Sequence, residues 1–222
     1  MCFSPQADLS AALVVGAIGL DAVRRARNPA ERLLASVPLV LAGHQFVEAF
    51  VWWGLEGDLP RAVWRSAVYL YVMIAFGVVP VLVPLAVQLL EPPSHRVQAR
   101  IMTAIGSGVA VVLVRAMLRG PVEATIEGHH VAYWVDLSTW AGVIIVLYVV
   151  ATCGSLLLSS HAAIRWFGIG NLVAVILLGW LAETAFVSLW CALAAVTSVA
   201  VEAYLRHGVA PPSEGAVGVD HR

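Results

Sequence analysis

The chain has 222 residues, 60% of them hydrophobic and 12% charged, with a net charge of −1 and a mean hydropathy of +0.86. A soluble domain is usually about half apolar and about a quarter charged, so this composition points to the bilayer, and the absence of basic runs gives no footing for nucleic acid. All 13 basic residues are arginine; without lysine there is no Schiff-base chemistry, no lysine-attached retinal and no P-loop.

The apolar runs are continuous and rich in Ala, Leu and Val rather than alternating, which favours helices over a closed barrel. Seven spans are expected: Asp8–Ala22, Leu33–Trp53, Val63–Leu90, Val97–Leu118, Leu137–Ser159, Trp166–Ala182 and Phe186–Leu205. The fold class is thus an all-α integral membrane bundle over residues 1–208, followed by a Pro/Gly-rich, disordered tail at 209–222. The first span follows Ser4-Pro5, a helix-start signal, and lacks the basic leader of a cleavable signal peptide.

Arginine placement sets the orientation. Arg24, Arg25, Arg27 and Arg32 share one side with Arg96, Arg100, Arg165 and Arg206, while Glu56, Asp58, Glu123, Glu127 and Asp136 fall on the other. The N-terminus is then outside and the C-terminus cytoplasmic, in the inner (plasma) membrane. Trp52, Trp53, Trp64, Tyr133, Trp134 and Trp140 gather near the outer interface, where amphipathic rings prefer to sit. The loop from Arg119 to Asp136 is the external segment most suited to a lid or partner surface.

Ionisable groups at membrane depth are costly and point to function. The second span carries His44, Gln45 and Glu48, with Trp52 one turn further. His44 and Glu48, four apart, share a helix face. Three readings fit. His44 is a metal or haem ligand assisted by Glu48. Or the pair handles protons or a ligand. Or the stripe is an interhelical hydrogen-bond clamp. Bis-His haem needs a second deep histidine, which is lacking. Arg115 and Glu183 sit near the same level as Glu48; either Arg115 pairs with Glu48 or Glu183, or Arg115 and Glu183 reach for the interface. In the external loop, Glu123, Glu127, His129 and His130 match no standard metal spacing. Cys153 and Cys191 lie in apolar runs and read as small hydrophobes. Glu202 reads as structural, paired with Asn171 or a cytoplasmic arginine. Pro80 and Pro84 either break the third span, as in a transporter, or only kink it. No GxSxG, HExxH or Gly-rich phosphate loop occurs.

The opening Met1-Cys2-Phe3-Ser4, with His44-Gln45-x-x-Glu48-x-x-x-Trp52 in the second helix, resembles a family of uncharacterised bacterial multi-pass membrane proteins. Its members begin Met-Cys-Phe-Ser and carry a similar Gln-x-x-Glu stretch. The resemblance implies a fold and a bacterial membrane and brings neither an activity nor a cofactor. It draws attention to Cys2, the position where N-terminal nucleophile enzymes expose a thiol. The expectation is an outward-facing pocket lined by Cys2, His44, Gln45, Glu48, Trp52 and Arg115. It would bind a small molecule, lipid, metal or cofactor for sensing or transfer. The alternatives are a membrane-embedded enzyme acting on a lipid or quinone, and a structural subunit of a complex. The sequence sets no oligomeric state.

Overall fold

The computed structural model describes residues 4–128, 130–137, 140–181 and 197–206. Cys2, His129, Glu183, Cys191 and the tail lie outside the described residues, as does most of the expected seventh span.

Helix α1 (Pro5–Arg25) opens as its sequence asks. The Ser4 hydroxyl accepts from the Ala7 N–H at 3.2 Å and Pro5 fills the first turn, where no N–H is needed. Helix α2 (Pro29–Glu56) is capped by Asn28 accepting from the Glu31 N–H, while Glu31 reaches back to the Arg27 N–H, a reciprocal cap. Gly57, at φ 95°, ends it in the left-handed conformation that glycine adopts without penalty.

Helices α1 and α2 form the closest helix pair. The buried stripe of α1 is Asp8, Ala12, Val15, Gly19 and Ala22, a 4-3-4-3 spacing of mostly small residues that lets backbones approach. A Cβ on Gly19 would sit 2.8 Å from Leu39 Cδ2 and 3.0 Å from the Leu39 nitrogen, and one on Gly16 would touch Ala42 at 3.6 Å. That antiparallel register, continued outward, brings Asp8 opposite the stretch between Glu48 and Trp52.

The third span does not break. Helix α3 (Arg61–Met73), a π turn (Ile74–Val78) and helix α4 (Val79–Leu90) run as one 30-residue span. The prolines explain the wide turn. Pro80 offers no N–H, and the five-residue register of the π turn would have sent that bond to the Ala75 carbonyl. The Tyr148 hydroxyl donates to that carbonyl instead, at 3.0 Å. Pro84 likewise frees the Pro80 carbonyl, and Gly106 of helix α5 (Arg96–Arg119) lies so close to that oxygen that any Cβ there would overlap it. A close Cα–H···O contact and the lack of a side chain therefore lock α4 to α5.

After α5 comes a two-stranded antiparallel hairpin, β1 (Glu123–Glu127) and β2 (His130–Trp134), paired from Glu123↔Trp134 to Glu127↔His130. The sequence reading had only a loop here. Val122 and Val131 point inward and pack with Val51, Val68 and Met117, so the hairpin lies over one end of α2, α3 and α5. Helices α6 (Ala141–Leu157) and α7 (Ala162–Leu181) follow, then helical residues 197–206.

Four helices, Pro5–Arg25, Pro29–Glu56, Arg61–Leu90 and Arg96–Arg119, are long and apolar enough to cross a bilayer. Apolar side chains lie on the outside: Leu13 is 74% exposed, Val111 67% and Val146 60%. A soluble monomer rarely shows so extensive an apolar surface.

At the arginine-rich end two polar knots tie the helices. Glu91, after α4, accepts from the Ser159 hydroxyl at 2.5 Å and the Ser160 N–H at 3.0 Å. Burial alone would push its carboxyl up, but the Ser159 and Ser160 donors and His161 together hold it below the usual carboxylate value. Glu202 pairs with Arg206 and Arg25, and Asp21 with the same two arginines. Of the two partners expected for Glu202, the arginines are the ones it takes; Asn171 instead donates to Cys153 Sγ at 3.2 Å.

Candidate functional site

The polar stripe of α2 divides between two surroundings. Gln45, Glu48 and Trp52 continue the row that faces α1, while His44 turns to the other side. All four are buried, Glu48 completely so. The His44 ring stacks on Tyr71 of α3 at 3.7 Å and 23°, and Tyr71 stacks on Tyr133 of β2 at 4.4 Å and 15°. Three rings from α2, α3 and the hairpin thus form one column.

On one side of this column lies a cavity of about 500 Å³, within the usual size range of ligand pockets. His44, Tyr71 and Tyr133 form one end. The walls are apolar, with Val37 and Leu41 from α2, Val72 from α3, Val83 from α4, and Ile144 and Leu156 from α6. Thr152, Cys153 and Asn171 place a small polar ledge part-way along, and Tyr204 stands at the far end. From Leu34 to His44 the wall of α2 runs ten residues, or about 15 Å at the helical rise. Ala75 and Phe76 of the π turn, where the helical register is widened, both face the cavity.

On the other side of the column lies a group of carboxyls. Asp8, completely buried on α1, lies within electrostatic reach of Glu48. Tyr71 and Tyr133 face Glu48, and the Trp52 indole faces Asp8. Burial pushes the Tyr133 hydroxyl well above the ordinary phenol range, so it stays protonated. Yet among the described residues none of the oxygens of Asp8 or Glu48 meets a donor at hydrogen-bond geometry. The Gln45 amide, His44 Nε2, Trp52 Nε1 and the Tyr133 hydroxyl are likewise unpartnered. Each buried polar group left so costs about 1–3 kcal/mol.

Of the residues expected to line one pocket, His44, Gln45, Glu48 and Trp52 are brought together around the ring column. Only His44 reaches the cavity itself. Arg115 is exposed on α5 and lines no part of it, in line with a side chain that reaches for the interface. His44 and Glu48 gain no third ligand: among the described residues no three His, Cys, Asp or Glu side chains form a metal-holding group. In the hairpin, Glu123 and Glu127 are exposed while His130, the cross-strand partner of Glu127, is buried.

Sequence reasoning missed Asp8, Tyr71 and Tyr133. Asp8 reads as an ordinary acid in a helix first turn; the signal that could have found it is its place at the head of the small-residue stripe of α1. The tyrosines carry no local signal, since only the tertiary fold sets them on His44.

No curated protein and no solved structure matches the chain. A family model does match, over residues 1–214. The chain therefore belongs to the family of unknown function DUF6629.

Proposed function

We propose that this protein is a seven-span membrane protein that binds an elongated amphiphile inside its helix bundle. The N-terminus lies outside and the arginine-rich end faces the cytoplasm of a bacterial cell. The carrying observation is the shape and chemistry of the cavity: a long apolar slot closed at one end by the His44–Tyr71–Tyr133 column. An apolar chain gains by filling the slot, at about 25 cal/mol per Å² of apolar surface buried. The ring column offers what a polar head needs, an imidazole nitrogen without a partner and a phenol that remains a donor. In the arginine-based orientation this end faces outward beneath the hairpin, as sensing or transfer of a lipid-like molecule would require.

A fluorescent polyene fatty acid tests the reading with detergent-purified protein. Saturable, near-stoichiometric binding is expected. Leu41→Trp, which fills the slot, should weaken it by more than about tenfold, the equivalent of roughly 1.4 kcal/mol. Binding unchanged in that variant would place the probe on the outer surface and refute the slot.

A further inference from the structure

Among the described residues the lining of the slot contains no arginine, aspartate or glutamate. The chain has no lysine, and of its 13 arginines all but Arg222 lie among the described residues. The sequence of residues 182–196, outside them, adds no arginine, lysine or histidine. We propose, taking the slot as the binding site, that its ligand is an uncharged amphiphile with a single hydroxyl head, a long-chain alcohol, and that ionised lipids are turned away.

The cost of an unpaired charge makes the selection. A carboxylate, phosphate or ammonium that enters the slot sheds its water and meets no counter-charge on the described walls, whereas a hydroxyl needs only hydrogen bonds. Asp8 and Glu48 act on Tyr133 from the other side of the ring column, and acids give an anionic head nothing to bind. The N-terminal charge acts on these same two acids, which have first claim on it. A cationic head finds little aromatic face, because Tyr71 in the middle of the column is covered by His44 and Tyr133 and cation–π attraction acts over a ring face.

Hydrogen bonding places the head and limits it to one. Part-way along the slot the polar groups are already engaged with each other and with the backbone. The Tyr148 hydroxyl donates to the Ala75 carbonyl at 3.0 Å, the Thr152 hydroxyl to the Tyr148 carbonyl at 2.8 Å, and the Asn171 amide to Cys153 Sγ at 3.2 Å. At the far end the Tyr204 hydroxyl meets His161 Nδ1 at 3.5 Å. The lining atoms buried without a partner among the described residues are His44 Nε2 and the Tyr133 hydroxyl, both at the ring column. An imidazole nitrogen can accept and a phenol can donate; a hydroxyl does both at once and answers the pair. A fatty acid enters in its protonated form, which carries a hydroxyl of its own, and is the weaker ligand in neutral buffer, where it is mostly ionised.

The test sets three probes of one polyene chain, the alcohol, the fatty acid and the primary amine, against the full chain in an uncharged detergent at neutral pH. Each affinity is taken relative to the probe's own partition into protein-free micelles. The alcohol should bind at least about tenfold more tightly than either ionised probe. His44→Phe, which keeps a ring against Tyr71 and removes Nε2, should weaken the alcohol by about three- to tenfold, the loss of one uncharged hydrogen bond. An acid or amine that matches the alcohol would overturn the proposal, and so would alcohol binding unchanged by His44→Phe. Leu41→Trp separates this failure from that of the slot. If it removes all three probes while the acid or amine matches the alcohol, the slot stands and the uncharged ligand falls. If no probe binds saturably, or all bind the variant unchanged, the slot itself is refuted and the proposal with it.

Discussion

At the residue scale, buried polar groups of this protein fall into two kinds. Glu91 is satisfied: a hydroxyl, a backbone N–H and a nearby imidazole meet its carboxylate. Such a group stabilises through its ionised form. Its carboxyl is depressed in the fold, so its contribution is present above the unfolded value of about 4.5 and is lost as pH falls below it. Glu91→Gln should therefore lower stability near neutral pH, by about 1–3 kcal/mol, and the gap to wild type should close as the buffer is taken below pH 4.5. Unfolding followed by circular dichroism at both pH values checks this, and a constant gap would contradict it. Asp8, Gln45 and Glu48 are the second kind, buried with no partner among the described residues. The sequence makes both kinds visible as polar letters in apolar surroundings, but it does not separate them. What distinguishes them is the hydrogen-bond partner, 68 residues away for Glu91 and not met at hydrogen-bond geometry among the described residues for Glu48.

At the element scale, the first four expected spans were legible because a bilayer needs about 20 apolar residues and caps mark helix ends. Pro5, Pro29 and Gly57 stand where the helices begin or end. Less legible was what Pro80 and Pro84 do. From sequence they read equally as a break or a kink. The structure keeps one span because neighbours satisfy the two freed carbonyls, Tyr148 at Ala75 and Gly106 at Pro80. Tyr148→Phe should cost about 1 kcal/mol by orphaning the Ala75 carbonyl, readable as a lower unfolding temperature. Gly106→Ala should be far worse, since its Cβ meets backbone that cannot yield. Gly108→Ala, two residues on with nothing within 4 Å, should be neutral or stabilise by up to about 1 kcal/mol through helix propensity. Equal effects at the two glycines would refute the α4–α5 contact. The hairpin stayed hidden because two five-residue strands joined by a two-residue turn are short beside the apolar spans, although Glu123 to Glu127 alternates polar and apolar; the packing of Ala124 and Val131 marks the inner face.

At the scale of the whole molecule, a close α1–α2 pair, a span with a π turn and a hairpin surround a slot with a three-ring head. Hydropathy implied the bundle but not the slot, which depends on how the helices pack side by side. It also misjudged Arg115, whose depth suited the pocket but whose face on α5 points outward. Depth along a helix is readable from sequence; facing in a bundle needs the neighbours. The most direct measurement is native mass spectrometry of the protein released gently from its membrane. The slot predicts a wild-type population carrying one non-covalent, lipid-sized adduct that collisional activation removes, and a Leu41→Trp protein that folds but carries none. A wild-type protein free of adduct, or a variant carrying the same one, would contradict an amphiphile bound inside the bundle.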